Sequence, residues 1–184
     1  ILGFSLGAGL GNMNLIRESG KTLAAGLAVA LIVAFAISFT LKLDTSSQQL
    51  MSRAEVRLDS LALALAAGGA AALSMARGQA SALVGVMVAA ALLPPGAAFG
   101  LFIGSGEWML ASRSGLLLLL NIACLVLSAL AVFRLKNIRP RGWVDQQNAD
   151  RAFYINVGLS ILFLVIASVL IVYFDLGHKV DLGN

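Results

Sequence analysis

The sequence predicts an all-α protein, a polytopic membrane helix bundle of six spans arranged as two inverted three-helix repeats. Three observations carry that prediction. The chain is 59% hydrophobic and 12% charged, with a mean hydropathy of +0.92, whereas a soluble domain is about 25% charged. Apolar stretches long enough to cross a hydrocarbon core recur along it. The first half is also echoed about 94 residues later. Gly7-Ala8-Gly9-Leu10-Gly11, a polar patch ending in Ser19-Gly20, and an apolar run to Leu41-Lys42 form the first copy. Gly100-Leu101-Phe102-Ile103-Gly104, a patch ending in Ser114-Gly115, and an apolar run to Leu135-Lys136 form the second. Each copy then has a polar stretch and one more apolar segment. Three segments is an odd number, so the second copy is inverted relative to the first, as in many secondary transporters.

Taken in order, the Gly-rich run from Ile1 to Ile16 reads as the end of a span. Thr22 to Leu41 is uncharged and flanked by Lys21 and Lys42; its 20 residues span about 30 Å at 1.5 Å per residue. The polar connection to Asp59 contains Leu50, Arg53, Ala54, Arg57 and Leu58, a spacing that predicts a short interfacial amphipathic helix. Ser60 to Ala76 is a shorter, Ala/Gly-rich span ending at Arg77-Gly78. Gln79 to Gly104 is apolar but interrupted by Pro94-Pro95-Gly96. Proline lacks an N–H and clashes with the carbonyl four residues back, so a helix broken at Pro94-Pro95 is expected. Gly115 to Phe133 is a clear span, closed by Arg134. A polar connection with Trp143 as a candidate interfacial anchor leads to the last span, Phe153 to Phe174, which has Tyr154 and Tyr173 at its ends as an aromatic belt would. Residues 1–184 thus read as one transmembrane domain, with repeat 1 over about 1–76 and repeat 2 over about 79–174, and something is expected to be missing upstream.

The formal charge of +4 comes from the connections rather than from a nucleic-acid-binding face. Whether residues 79–104 cross fully or re-enter, the basic residues divide 8 against 5, and the richer side holds the Arg134–Arg151 loop. The positive-inside rule therefore places that loop in the cytoplasm of a prokaryotic inner membrane.

All nine acidic residues fall in connections or at span ends. A proton relay through mid-membrane carboxylates is disfavoured. The one histidine, His178, is in the C-terminal tail, and Cys124 has no partner cysteine. Metal ligands, a nucleophile–base pair and cofactor motifs are all missing, so the chain reads as no enzyme and needs no cofactor. Polar groups inside apolar segments are the better leads. Asn121 lies within a span; its amide serves either as an interhelical hydrogen bond or as a ligand for a solute or ion. Ser81 either bonds its own backbone or faces a substrate. Arg77 is either a snorkelling end-of-helix cation or an anion-facing group beside the next helix N-terminus. The Pro94-Pro95-Gly96 break and its counterpart near Ile1–Ser5 complete a candidate substrate site of Asn121, Ser81, Arg77, Pro94, Pro95, Gly96 and Ser5.

The run Ala76-Arg77-Gly78-Gln79-Ala80-Ser81-Ala82-Leu83-Val84-Gly85-Val86, followed by Ala91-Leu92-Leu93-Pro94-Pro95, resembles the hydrophobic bacterial and archaeal family called domain of unknown function 389. Gly104-Ser105-Gly106-Glu107-Trp108, Asn121, Phe133-Arg134-Leu135 and Ile138-Arg139-Pro140 are similar to it as well. The likeness covers most of Ile1 to Gly142. It implies a multi-span membrane domain, often preceded by a small soluble domain, and its motif falls on Arg77, Gly78, Ser81, Pro94, Pro95 and Asn121. It implies no activity.

Two readings follow. The first is a membrane transport protein or channel for a small solute or ion. The second is a non-catalytic, oligomeric membrane anchor or sensor coupled to a soluble domain. Both place the chain in a lipid bilayer as a homo-oligomer, expected to be a dimer, without nucleic acid.

Overall fold

The computed structural model describes residues 1–40, 58–79 and 81–136, together with residues 151, 154, 155, 157–162, 165, 166 and 169. Five helices are defined: α1 (Leu2–Leu10), α2 (Met13–Thr40), α3 (Leu58–Ala76), α4 (Ser81–Gly104) and α5 (Trp108–Leu135). Every described residue between 151 and 169 is also helical, and the described residues contain no strand. The all-helical class expected from the sequence is therefore what the structure has. Three helices, at 13–38, 82–104 and 108–135, are long and apolar enough to cross a membrane. Helix α3 is shorter. The six-span count depends in part on residues outside the described set. So do the amphipathic segment at 50–57, the interior of the Arg134–Arg151 loop with Trp143, and Tyr173 and His178.

Local chemistry explains where the helices stop. Gly11 adopts φ 67°, a left-handed conformation that costs a glycine nothing. Its N–H donates to the Ala8 carbonyl and the Asn12 N–H donates to the Gly7 carbonyl, which closes the α1 C-terminus. Asn12 then opens α2, its Oδ1 accepting from the N–H groups of Asn14 and Leu15 at 3.1 Å each. Gly106, with φ 78°, ends α4 by the same device: Gly106 N–H to Ile103 O and Glu107 N–H to Phe102 O. These stop signals correct two expected boundaries. Helix α2 begins at Met13 and α5 at Trp108, so the polar patches before Thr22 and Gly115 are helical. Arg, Glu and Lys are good helix formers, and the glycine caps, not the charges, mark the ends.

Helix α5 is the centre of the bundle. Its apolar window is 56% buried, against 33% for α4 and 6% for α2. Helices α1, α3 and α4 all pack on α5, and α2 packs on α1 and α4. Small residues set the spacing, as they do between membrane helices. A Cβ built on Gly68 of α3 would lie 2.7 Å from the Leu125 carbonyl oxygen of α5 and 2.8 Å from its Cα, so no other residue fits. Gly100 meets Leu31 and Ala34 of α2, and Gly104, one turn on, meets Phe35 and Ser38. Both series ascend together, so α2 and α4 run parallel. Helix α5 returns antiparallel to α4 across a three-residue turn, and therefore antiparallel to α2.

The expected break at Pro94-Pro95 is absent: α4 is helical on both sides of the prolines and through them. Pro95 is buried and Pro94 half-buried. A proline inside a helix removes one donor and costs about 3 kcal/mol, but it need not end the helix if the freed carbonyl is satisfied from outside.

The Gly68 contact yields a stability prediction. Gly68→Ala forces α3 off α5 and should lower stability by about 1–3 kcal/mol. Gly85→Ala, where nothing lies within 4 Å, should be neutral or mildly stabilising. Thermal unfolding of the two purified variants in the same detergent measures the difference.

Candidate functional site

The two prolines affect the helix carbonyls unequally. Ala90 loses the N–H of Pro94 but keeps that of Leu93 within three-residue reach. Ala91 faces Pro94 at i+3 and Pro95 at i+4, so neither an α nor a 3₁₀ bond can form. Its carbonyl oxygen thus has no α or 3₁₀ donor within its own helix. Asn121, at the middle of α5, supplies one: its Nδ2 donates to Ala91 O at 2.8 Å. The amide is 3% exposed. Ala91 and Leu92 share a buried cluster with Ala64, Leu118, Cys124 and Leu125, so the bond forms among apolar side chains. A carbonyl left bare there would cost as much as the amide bond saves.

The repair uses only half of the side chain. Asn121 Oδ1 is buried and accepts no hydrogen bond, which makes it the unpartnered buried side-chain polar atom among the described residues. At mid-bundle the structure thus presents an acceptor oxygen whose lone pairs meet no donor, beside a helix turn that holds two prolines. Chemically this suits a group that brings its own hydrogens or positive charge.

The other sequence-predicted residues divide by location. Gly96 is buried, with the Leu118 methyls 3.8 and 4.0 Å from where its Cβ would be. With Pro94, Pro95 and Asn121 it belongs to this centre. Ile1 packs against the cluster that holds Ala91 and Leu92. Ser5, fully buried one turn on, donates its hydroxyl to the Ile1 carbonyl at 3.2 Å and not to Asn121. Arg77 is exposed in the α3–α4 turn beside left-handed Gly78. It lies about 15 Å along α4 from Ala91, counting ten residues from Ser81 at 1.5 Å each, so the structure does not bring it to Asn121. Ser81 opens α4, but its side chain is outside the described residues. Sequence reading missed the bond between Asn121 and Ala91. Its signal was present, since adjacent prolines strip one definite carbonyl and a lone buried amide is its natural donor.

A second feature is an apolar groove of about 890 Å³ along α2, lined also by Ile1 and by Leu92, Leu93, Gly96 and Ala97 of α4. Glu18, Ser19 and Thr22 stand at one end of it. Asn121 does not line it. No group of three or more His, Cys, Asp or Glu is gathered among the described residues.

The bond should show in energetics. Asn121→Ala strands Ala91 O and should cost about 1–3 kcal/mol. With Pro95→Ala, which restores the helical donor, the same change should cost clearly less. A double-mutant cycle by thermal or denaturant unfolding reads that coupling; additive effects would show that the bond does not support the helix.

Comparison with known proteins bears on the whole chain. A family model described as domain of unknown function (DUF389) matches residues 1–127. An uncharacterized protein of Methanocaldococcus jannaschii is 33% identical over 172 residues, covering 94% of this chain and 54% of the relative. The chain therefore spans about half the length of that relative. No solved structure matches.

Proposed function

We propose that this chain, which belongs to the domain of unknown function DUF389 family, is the membrane part of a transport protein or channel for a small solute or ion. The observation that carries the reading is the half-satisfied amide of Asn121 against the proline-weakened turn of α4. Membrane transporters hold substrates where backbone and side-chain dipoles lack ordinary partners, and Asn121 Oδ1 is such a group although α4 itself is continuous. The opposed direction of the α1–α2 and α4–α5 hairpins supports an inverted arrangement. Oδ1 is an acceptor, and Arg77 is remote, so a cation or a hydrogen-bond-donating solute fits better than an anion. In this reading α4 bends at Pro94-Pro95, the Asn121–Ala91 bond opens, and both groups turn to the substrate. No catalysis is involved. The chain sits in a prokaryotic cytoplasmic membrane with the Arg134–Arg151 loop inside, and works as a homo-oligomer.

The second reading, an oligomeric anchor or sensor serving a soluble domain, is favoured by two observations: α4 is continuous and Asn121 is buried. Asn121 is then purely structural.

Proteoliposomes separate the two. Under the transport reading, a panel of monovalent cations, ammonium and small neutral amides or polyols includes at least one species that crosses faster than through empty liposomes. Asn121→Ala should reduce that flux by about tenfold or more, the loss of roughly 1.4 kcal/mol of binding. Silence across the panel, with correctly folded protein, sinks the transport reading.

A further inference from the structure

The two hairpins of this chain share a register. The left-handed glycines Gly11 and Gly106 are 95 positions apart, and each is followed, after one residue, by a long apolar helix, α2 and α5. The turn bonds coincide at the same offset: Gly11 to Ala8 with Gly106 to Ile103, and Asn12 to Gly7 with Glu107 to Phe102. Facing residues coincide too. Gly7 lies against Ile16, and at the matching positions Phe102 shares a cluster with Ala111, small and large having changed places.

That register reveals an uncovered face. On α5, Leu118 and Leu125, with Ile122 beside them, pack in one cluster with Ala91, Leu92 and Val88 of α4, and Asn121 bonds Ala91. The first half of α4 therefore covers this face. The corresponding positions on α2 are Leu23, Gly26, Leu27 and Ala30, and all four line the apolar groove. Helix α1 matches only the second half of α4, and Ile1 stands at the groove. Leu27 packs against the cluster that holds Ala91 and Leu92, but Gly26, at the position matching Asn121, stays exposed.

We propose that the groove seats an apolar helical segment of the same polypeptide, running into α1 from upstream and laid antiparallel along α2. The matched relative is nearly twice as long as its matched stretch, so it carries additional polypeptide. At the position of Asn121 this face has Gly26, which offers no donor and has nothing within 4 Å of its missing side chain. The incoming helix must therefore satisfy its own carbonyls. It should lack a Pro-Pro pair at the matching position, and its backbone can approach α2 closely. The inference stands whether or not the protein carries a solute.

The test uses the longer native polypeptide in its own membrane, with Cys124→Ala. In register with Ala91 and Asn121, a cysteine five residues ahead of Ile1 should form a disulfide with Gly26→Cys under mild oxidation, and a cysteine two residues further along should not. A second measurement does not depend on cross-linking. With native tryptophans replaced by Phe, Leu23→Trp and Val29→Trp are compared in bilayers of brominated phospholipid. Val29, 62% exposed, should be quenched fully. Loss of quenching at Leu23→Trp shows the groove filled by protein. Equal quenching of the two means that lipid occupies the groove and overturns the proposal, whatever the disulfide yield.

Discussion

Backbone polarity in an apolar setting is the constraint on which this fold turns. An α-helix normally discharges it internally, each carbonyl meeting an N–H four residues on. Helix α4 cannot do so at Ala91, because both residues within helical reach are prolines. The Asn121 amide closes the account from the neighbouring helix. That one bond reconciles a continuous α4 with its two prolines. It also fixes the rotation of α5 about its axis, because Asn121 must face Ala91, and the buried face of α5 follows from there: Leu117, Leu118, Leu125 and Phe133 turn inward with it.

Around that bond the packing is a matter of absent side chains. Gly68 lets α3 touch the α5 backbone at Leu125, and Gly100 lets α4 touch α2 at Leu31 and Ala34. Where the solvent is hydrocarbon, burying leucine gains little from exclusion of water, so close van der Waals contact has to hold helices together. The large apolar side chains can then face outward. Val29, Ile32, Val33 and Phe35 of α2 do so, forming a surface suited to lipid.

Much of this was legible in the sequence, for identifiable reasons. Hydropathy and length gave the helical class and the apolar segments, because membrane spans are long and uninterrupted. The echo of the first half in the second was read from Ser19-Gly20 and Ser114-Gly115, and the six-span inverted repeat it suggested rests in part on residues outside the described set. The starts of α2 and α5 were misplaced because charged residues were taken as boundaries, when Gly11 and Gly106 are the true punctuation. The break at Pro94-Pro95 was misjudged for a related reason: proline rules are local, and the donor that rescues Ala91 comes from thirty residues away. Asn121 was identified as a polar residue needing a partner, but which partner depends on tertiary contact. Arg77 and Asn121 looked like members of one site only because sequence contains no distances.

The bond between Asn121 and Ala91 also has a bearing on how the chain is made. During synthesis α4 emerges well before the middle of α5. Alone in lipid, α4 would expose a carbonyl that no residue of its own can meet. Its stable entry is therefore coupled to that of α5. The tight turn at Ser105–Glu107 keeps the two in reach, so they are best delivered to the bilayer as a pair, with the amide already across the gap. What reads in the finished molecule as a packing contact is, at birth, a condition on the order of insertion.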